Sequence, residues 1–389
     1  MSAVQASDVF ELLRDGRPWT RAQLAQTTGL ARSTVAARID ELLRLGLVAP
    51  SGGISTGGRP PSLFAMNPRA GVVAGVDVGA THVALVLADL GGELLVSEET
   101  ALDVAEGPDA VLGWVCDAID RLLRQLPLPV PPLRAVGIGL PGPVEHSTGR
   151  PTNPPIMPGW DRVDVPGLVQ RRHPVPVLID NDVNIMALGE QQVAYPSTED
   201  LVFVKVATGI GAGIISGGAL QRGAQGTAGD LGHVRVAGHE EVLCRCGNVA
   251  CLEAVAAGPA LAATLRASGV AAEDTQDVVD LARAGDLTAV QVVRQAGRDL
   301  GEVLATLVNL VNPSVLVIGG RLASAGEHLL AGIREVVYQR SLPLATEHLL
   351  VAPTRVGRSA AVRGAVAMAV THVLSPEQIE LGVRMLAEG

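Results

Sequence analysis

Lysine is almost missing from this chain. Lys205 stands alone among 30 basic residues, and the other 29 are arginine. At the level of sequence that bias reads as overall composition and carries no mechanism. Aromatic residues are scarce too, at 2% of 389 positions, which excludes the stacked aromatic platforms that grip single-stranded nucleic acid. Four cysteines are too few for a disulfide framework. No long apolar run is free of Asp, Asn or Pro, so a membrane span is not expected. The start, Met1 to Asp8, lacks the basic stretch and following apolar run of a secretory signal. These absences lead us to expect a cytoplasmic chain with no membrane partner. The formal net charge of −10 excludes a non-specific coat on nucleic acid.

What is present is a chain long enough for two or three domains, with 48% apolar residues to bury. Its charge is unevenly placed. Residues 1–69 hold eight arginines and five acids, a net of +3, which leaves −13 for the rest. A basic head precedes an acidic body, and we place the boundary at residue 69.

The head has a helical pattern. Val9, Leu12 and Leu13 share one face of a first helix, which Gly16-Arg17-Pro18 ends. Thr20 can cap a second helix, and Thr28-Gly29-Leu30 makes a tight turn. A third helix is expected over residues 31–45, with Val35, Ile39, Leu42 and Leu43 inward. Helix, short Gly turn and helix form a helix-turn-helix. Strand-like runs at 47–49 and 63–66 flank a Gly-rich segment and complete a winged helix-turn-helix. In such a unit the start of the third helix enters the major groove. That makes Arg32, Ser33, Thr34 and Arg38 candidates for contact with operator DNA, since Arg can bond guanine bidentately. Gly58 and Arg59 in the wing are candidates for the minor groove. An ordinary three-helix packing unit with solvated arginines is the blander alternative.

From Pro68 onward the apolar period shifts to that of strands. Strands are expected at 72–77, 82–87 and 93–97, a helix at 108–125, and strands at 135–140 and 175–179. A further strand at 201–207 leads into the turn Thr208-Gly209-Ile210-Gly211-Ala212-Gly213 and a strand at 214–215. A strand, Gly turn and strand thus occur twice, near 77 and near 209. Helices dominate 253–311, a strand covers 315–318, and helices at 358–373 and 376–387 close the chain. Two facing Gly turns suit the cradling of phosphates by backbone N–H groups, although each alone is explained as a tight turn. His233, Cys244, Cys246 and Cys251 offer one nitrogen and three sulfurs at a spacing that can close a tetrahedral structural Zn²⁺ site. Buried free thiols beside a core histidine are the alternative. Cys116, alone on a helix, reads as a core residue.

Specific motifs now carry a resemblance. The stretch from Val206 to Ile215, the element Gly229-Asp230-Leu231-Gly232-His233, the run Cys244-Arg245-Cys246 to Cys251-Leu252-Glu253, and Asp180-Asn181-Asp182-Val183-Asn184 together resemble the ROK family (repressors, open reading frames and kinases). With the head, the resemblance covers nearly the whole chain. It implies an α/β chain: an N-terminal winged helix-turn-helix, then a two-lobed, actin-like (ribonuclease H-like) sugar kinase fold. The expected division is residues 1–69 for the head with wing and linker, 70–180 for a small lobe completed by about 362–389, and 181–361 for a large lobe. The large lobe would hold the zinc site and an oligomerisation surface. A winged head marks the repressor branch, of the xylose- and N-acetylglucosamine-repressor type.

The resemblance also implies a sugar site at Asn181, Asp182, Asp230, His233 and Glu253, with Asn153 a further candidate. It implies the same four zinc ligands as the spacing does. Asp182 would be the catalytic base if kinase activity is retained, because a carboxylate in hydrogen-bond reach can take the proton of an attacking hydroxyl. An aspartate there is also a favoured helix N-cap. Asp230 departs from the family, which has Glu at that place. The phosphate-loop remnants are Asp77, Gly79 and Thr81 in the first turn and Thr208, Gly209 and Gly211 in the second. The family's first loop reads Asp-x-Gly-Gly-Thr-Lys, whereas here Ala80 replaces the second Gly and His82 the Lys. The late glycine run is broken by Arg321. Both departures fall on the nucleotide side, so use of ATP and Mg²⁺ is not expected. The expectation is a non-catalytic, sugar-responsive regulator of the repressor kind. It would bind a palindromic operator as a homodimer or homotetramer and sense a sugar or sugar phosphate in a kinase-like cleft. The rival expectation is an ATP-dependent, glucokinase-like sugar kinase.

Overall fold

The structure is a computed structural model that describes residues 5–51, 62–154 and 156–388. The head begins with α1 (Ala6–Leu13), whose Val9, Phe10 and Leu13 are fully buried. A two-residue strand follows, β1 (Trp19–Thr20), which the sequence pattern did not signal. Helix α2 (Arg21–Thr28) starts on a capping box: the Thr20 hydroxyl accepts the Gln23 N–H at 3.1 Å, and Gln23 accepts the Thr20 N–H at 2.8 Å. Such a cap is worth about 1 kcal/mol. Gly29, at φ 71°, ends α2 in the left-handed conformation. Helix α3 (Arg32–Arg44) then buries Val35, Ile39 and Leu42. Strands β2 (Val48–Ser51) and β3 (Leu63–Met66) pair antiparallel, with β1 on the far side of β3.

The body holds two five-stranded sheets. The first contains β4 (Val72–Val78), β5 (Val83–Asp89), β6 (Leu94–Thr100), β7 (Leu133–Leu140) and β10 (Val177–Asn181). Helix α4 (Pro108–Leu123) precedes β7, and a ribbon of β8 (Val144–Glu145) and β9 (Arg150–Pro151) and helix α5 (Val165–Gln170) precede β10. Helix α6 (Asp182–Ala194) leads to the second sheet, which opens with β11 (Leu201–Val206), β12 (Ile210–Ser216) and β13 (Ala219–Gln221). Next come α7 (Leu252–Ala256), α8 (Gly258–Ala267), α9 (Thr275–Ala284) and α10 (Leu287–Val311). The second sheet is completed by β14 (Val315–Gly319) and β15 (Leu350–Pro353), with α11 (Glu327–Arg340) and α12 (Pro343–Thr346) between them. Helices α13 (Ala360–Val373) and α14 (Pro376–Glu388) end the chain.

The sheet orders are β6-β5-β4-β7-β10 and β13-β12-β11-β14-β15, so each lobe is an antiparallel meander extended by two parallel strands. This repeated topology is the two-lobed, actin-like sugar kinase fold. The second Gly turn differs from the sequence expectation. It is short, because β12 already begins at Ile210. Gly211 and Gly213 are therefore paired strand residues, opposite Lys205 and Phe203, and not loop residues.

Helices α6 and α13 cross between the two sheets at backbone distance. A Cβ on Gly364 would lie 1.6 Å from the Ile185 carbonyl oxygen, and one on Gly189 1.9 Å from that of Ala360. On its other side α13 seats on the first sheet, where a Cβ on Gly137 would meet the Ala365 oxygen at 2.2 Å. Buried Glu190, near the end of α6, accepts the Thr354 hydroxyl at 2.6 Å and the Arg355 N–H at 2.7 Å, pinning the turn before α13.

The head shares a core with the body. Val9, Phe10, Leu42 and Phe64 lie in one buried cluster with Val73 and Ala88 of the first sheet, Val366 and Val373 of α13, and Ile379 of α14. The Ser7 N–H donates to Glu380 of α14 at 2.9 Å. Among the described residues no helix is long and apolar enough to cross a membrane.

The crossing gives a paired test by thermal unfolding. Gly364→Ala must overpack the α6–α13 contact and should cost about 2 kcal/mol or more. Gly113→Ala, on α4 with nothing within 4 Å of the added Cβ, should stabilise by about 0.5–1 kcal/mol.

Candidate functional site

The cleft between the lobes is built from strand ends and one helix start. Strand β10 delivers Asn181, and α6 begins at Asp182. The capping role belongs to Asn181, whose Oδ1 accepts the Val183 N–H at 2.9 Å while its Nδ2 donates to the Gly142 carbonyl at 2.9 Å. Asp182 is thus the first helical residue and is spared the capping duty. The positive end of α6 favours a carboxylate there. Asp182 Oδ2 is in direct contact with the Lys205 ammonium. Burial works against the charge on Lys205, but Asp182 beside it, with Asp77 behind, outweighs this and holds the ammonium above the usual lysine range.

The first Gly turn joins β4 to β5. The Gly79 N–H donates to the His82 carbonyl at 2.9 Å. The imidazole folds back over the turn, so that a Cβ on Gly79 would lie 2.1 Å from the ring. His82 Nε2 is 3.3 Å from Asp77 Oδ2. That hydrogen bond raises the histidine above its ordinary 6.5, against the opposing effects of burial and Lys205. Thr81 stays exposed at the rim. Where the family's loop has a lysine, this one has a ring lying on its own glycine.

In the second turn, Glu253 Oε2 accepts the Ile210 N–H at 3.1 Å and lies 2.6 Å from where a Gly209 Cβ would be. Glu253 therefore braces this turn as well as facing the cleft. Thr208 is exposed beside it. The segment carrying Asp230 lies along β12: the Ala212 N–H donates to Gly229 at 2.8 Å, and a Gly229 Cβ would be 1.9 Å from the Ala212 oxygen. Asp230 is exposed there. Asn153, also exposed, has φ 44°, and Asp161 accepts its N–H at 2.8 Å.

Sequence reasoning missed a second charged group beside these residues. Asp180 is buried and accepts from Arg222 Nε at 2.6 Å, from Asn184 at 2.7 Å and from the Asn181 N–H at 2.8 Å, with His146 Nδ1 at 3.9 Å. It lies next to Asn181 in sequence, but Arg222 is 42 positions away and follows the other sheet, so no local pattern marks the pair. Arg222 and Asp180 join the two lobes across the cleft.

The metal-ligand set converges as the spacing suggested. His233, Cys244, Cys246 and Cys251 bring their ligand atoms within 4.8 Å of one another. Cys244 Sγ is 3.8 Å from His233 Nδ1, and Cys246 Sγ is 3.6 Å from Cys251 Sγ. The edge of a tetrahedron around Zn²⁺ with Zn–S of 2.3 Å is about 3.8 Å, so the set fits a structural zinc site. The Asn248 backbone N–H, with smaller help from neighbouring side chains, pulls the Cys246 thiol down to about 7. Burial pushes Cys251 up to about 12. Glu253 and Asp230 lie two and three residues from ligands of this cluster, so the cluster fixes both against the cleft. Cys116 is buried on α4, apart from it.

On the head, Arg32 and Ser33 are exposed at the start of α3, and Thr34 is half-buried. Arg38 Nη1 is 3.0 Å from both oxygens of Glu41. Arg21 spans Asp40 at 2.8 Å and the face of Phe64 at 4.5 Å. Gly58 and Arg59 lie outside the described residues.

A model of the ROK family matches residues 73–372, and one of the IclR helix-turn-helix domain matches residues 2–52. The chain belongs to the ROK family. A xylose repressor of Caldicellulosiruptor bescii is 30% identical over 382 residues, with 94% of this chain and 95% of that protein covered. A solved ROK family transcriptional regulator, described as a homolog of the E. coli MLC protein, superposes with a TM-score of 0.84 at 25% identity over 97% of this chain and 98% of its own. A ROK family glucokinase from Streptomyces griseus, solved with glucose and AMPPNP, matches at TM-score 0.64 and 28% identity. It covers 77% of this chain and 99% of its own.

Two outcomes test this geometry. Elemental analysis should find one zinc per chain, and Cys251→Ser should lose it at a cost of about 3 kcal/mol or more of stability. The raised His82 makes a contribution to stability that is present below pH 6.5 and lost as pH rises through the folded-state value. His82→Gln should flatten that part of a pH–unfolding profile.

Proposed function

We propose that this chain is a sugar-responsive transcriptional repressor that keeps the body of a sugar kinase as its sensor. The observation that carries this reading is the common core. A winged head is packed on the first sheet and on α13 and α14, so a change in lobe arrangement cannot leave the head where it was. The likeness to a xylose repressor over nearly the full length supports it, because the glucokinase likeness stops at the body.

In this reading a sugar or sugar phosphate sits between Asn153, Asn181, Asp182, Asp230, His233 and Glu253. Amides and acids suit a polyol because each hydroxyl both donates and accepts. A structural Zn²⁺ on His233, Cys244, Cys246 and Cys251 shapes the wall that presents Asp230 and Glu253. The remnant loops at Asp77, Gly79 and Thr81 and at Thr208 and Gly209 do not serve ATP, since the His82 ring covers the first. Gly211, paired within β12, is not part of a loop at all. The head contacts operator DNA through Arg32, Ser33 and Thr34, with Arg38 and the wing residues Gly58 and Arg59 beside them. Two heads read a palindrome, which calls for at least a homodimer. Effector binding needs only to favour one lobe arrangement to shift operator affinity.

Selection of genomic fragments by the purified protein, with and without candidate sugars, tests the whole reading. Arg32→Ala should weaken specific binding by about 1–3 kcal/mol, and affinity should fall steeply with salt. A single operator affinity under every sugar would sink the sensor. Asp182 at the start of α6 favours the rival, a sugar kinase. ATP-dependent phosphorylation of a sugar that vanishes in Asp182→Asn would establish it.

A further inference from the structure

The chain supplies its own control on Lys205. With 29 arginines and one lysine, a cation of either shape is met by arginine everywhere else. At 205 the compact ammonium stands instead, and the two side chains are not interchangeable in a confined site. The register shows the confinement. Lys205 pairs with Gly211 on β12 and with Gly319 on β14, so neither lateral neighbour brings a side chain. The ring of Phe203, two residues back on the same face, already fills the place of a Gly319 Cβ, at 2.3 Å. The Lys205 stem thus runs between two glycines, with the Phe203 ring closing the Gly319 side.

The two partners are unequally covered. The Asp182 side chain is 7% exposed and that of Lys205 24%. An ammonium has three N–H donors, and Asp182 is its one hydrogen-bond partner among the described residues. The pair therefore presents an acceptor and spare donors side by side to the cleft. The ammonium sits in a largely buried place and depends on Asp182 as its counter-charge. A dianionic phosphate there could accept from Lys205 but would also face Asp182 and, behind it, Asp77, with no proton to donate to either.

We propose, resting on the sensor reading above, that Lys205 is a ligand-reading and positioning residue. It clamps one oxygen of Asp182 and donates to an oxygen of the effector, so that the cleft selects a sugar whose hydroxyl at this end is free and unphosphorylated. That hydroxyl donates to Asp182 and keeps its proton. The neighbouring sugar oxygen accepts from Lys205.

Calorimetry on the full-length protein tests this with D-glucose, N-acetyl-D-glucosamine, their 6-phosphates, and D-xylose. One of the free sugars should bind wild type, with any matching 6-phosphate at least tenfold weaker. Lys205→Met should lower the affinity for that sugar at least tenfold. Because Lys205→Met strands a buried carboxylate, the neutral pair Lys205→Met/Asp182→Asn is measured beside it. It should fold, bind the sugar weakly and lose the preference over phosphate. Lys205→Arg keeps the charge. A merely structural ion pair predicts that it restores wild-type affinity and preference, and the ligand-reading role predicts that it does not. Wild-type binding in Lys205→Met, full rescue by Lys205→Arg, or tighter binding of a 6-phosphate would overturn the inference and leave the sensor intact. Should none of these sugars bind wild type or change operator binding, the sensor reading falls and takes this inference with it.

Discussion

The contact on which the molecule turns is the crossing of α6 and α13. Three glycines, Gly189 and Gly364 on these helices and Gly137 on the first sheet, let backbone meet backbone, with no side chain between to act as a cushion. Close-packed interiors of this kind transmit a shift and do not absorb it. One end of α6 carries the candidate site, since Asp182 is its first residue. The far end of α13 leads into α14, which packs on α1 and α3 of the head. Site and head are therefore the two ends of one stiff pair of helices. Glu190, tying α6 to the turn before α13, removes another place where motion could be lost.

The cleft shows how a fold is redirected by few residues. Its framework brings together a capped strand end, a carboxylate at a helix start, and a metal-ligand cluster with two more acids close to it in sequence. The nucleotide side has been changed by charge pairs. His82 lies on Gly79 and bonds Asp77, Lys205 bonds Asp182, and Arg222 bonds Asp180. One of these acids, Asp182, is also a candidate sugar ligand. Three acids of the site, Asp77, Asp180 and Asp182, each have a basic partner within an otherwise strongly acidic body.

The architecture was legible because it rests on local patterns. Strand alternation, the Thr20 cap, the Gly29 turn and the His and Cys spacing are all signals within some twenty residues. The paired Gly turns marked the right strand ends, although the second was read too long: a glycine run looks like a loop whether or not it is laddered. Asp182 lost its expected cap role because α6 begins one residue earlier, with Asn181 in the cap position accepting the Val183 N–H. The sites that stayed hidden are pairings across distance. Lys205 with Asp182, Arg222 with Asp180, and the ring of His82 over Gly79 depend on register and on the meeting of two lobes. The lone lysine was in plain view, but its meaning required knowing that glycines flank it on both sides.

That lysine has a consequence for how the protein can be watched. A protease that cuts only after lysine has one bond to attack, between Lys205 and Val206. The bond lies in β11, which is paired on both sides in the second sheet, so it is reached only when that strand opens. Cleavage into two fragments of nearly equal length would then report the opening of the cleft floor alone, without the contributions of loops and termini that confuse such measurements elsewhere.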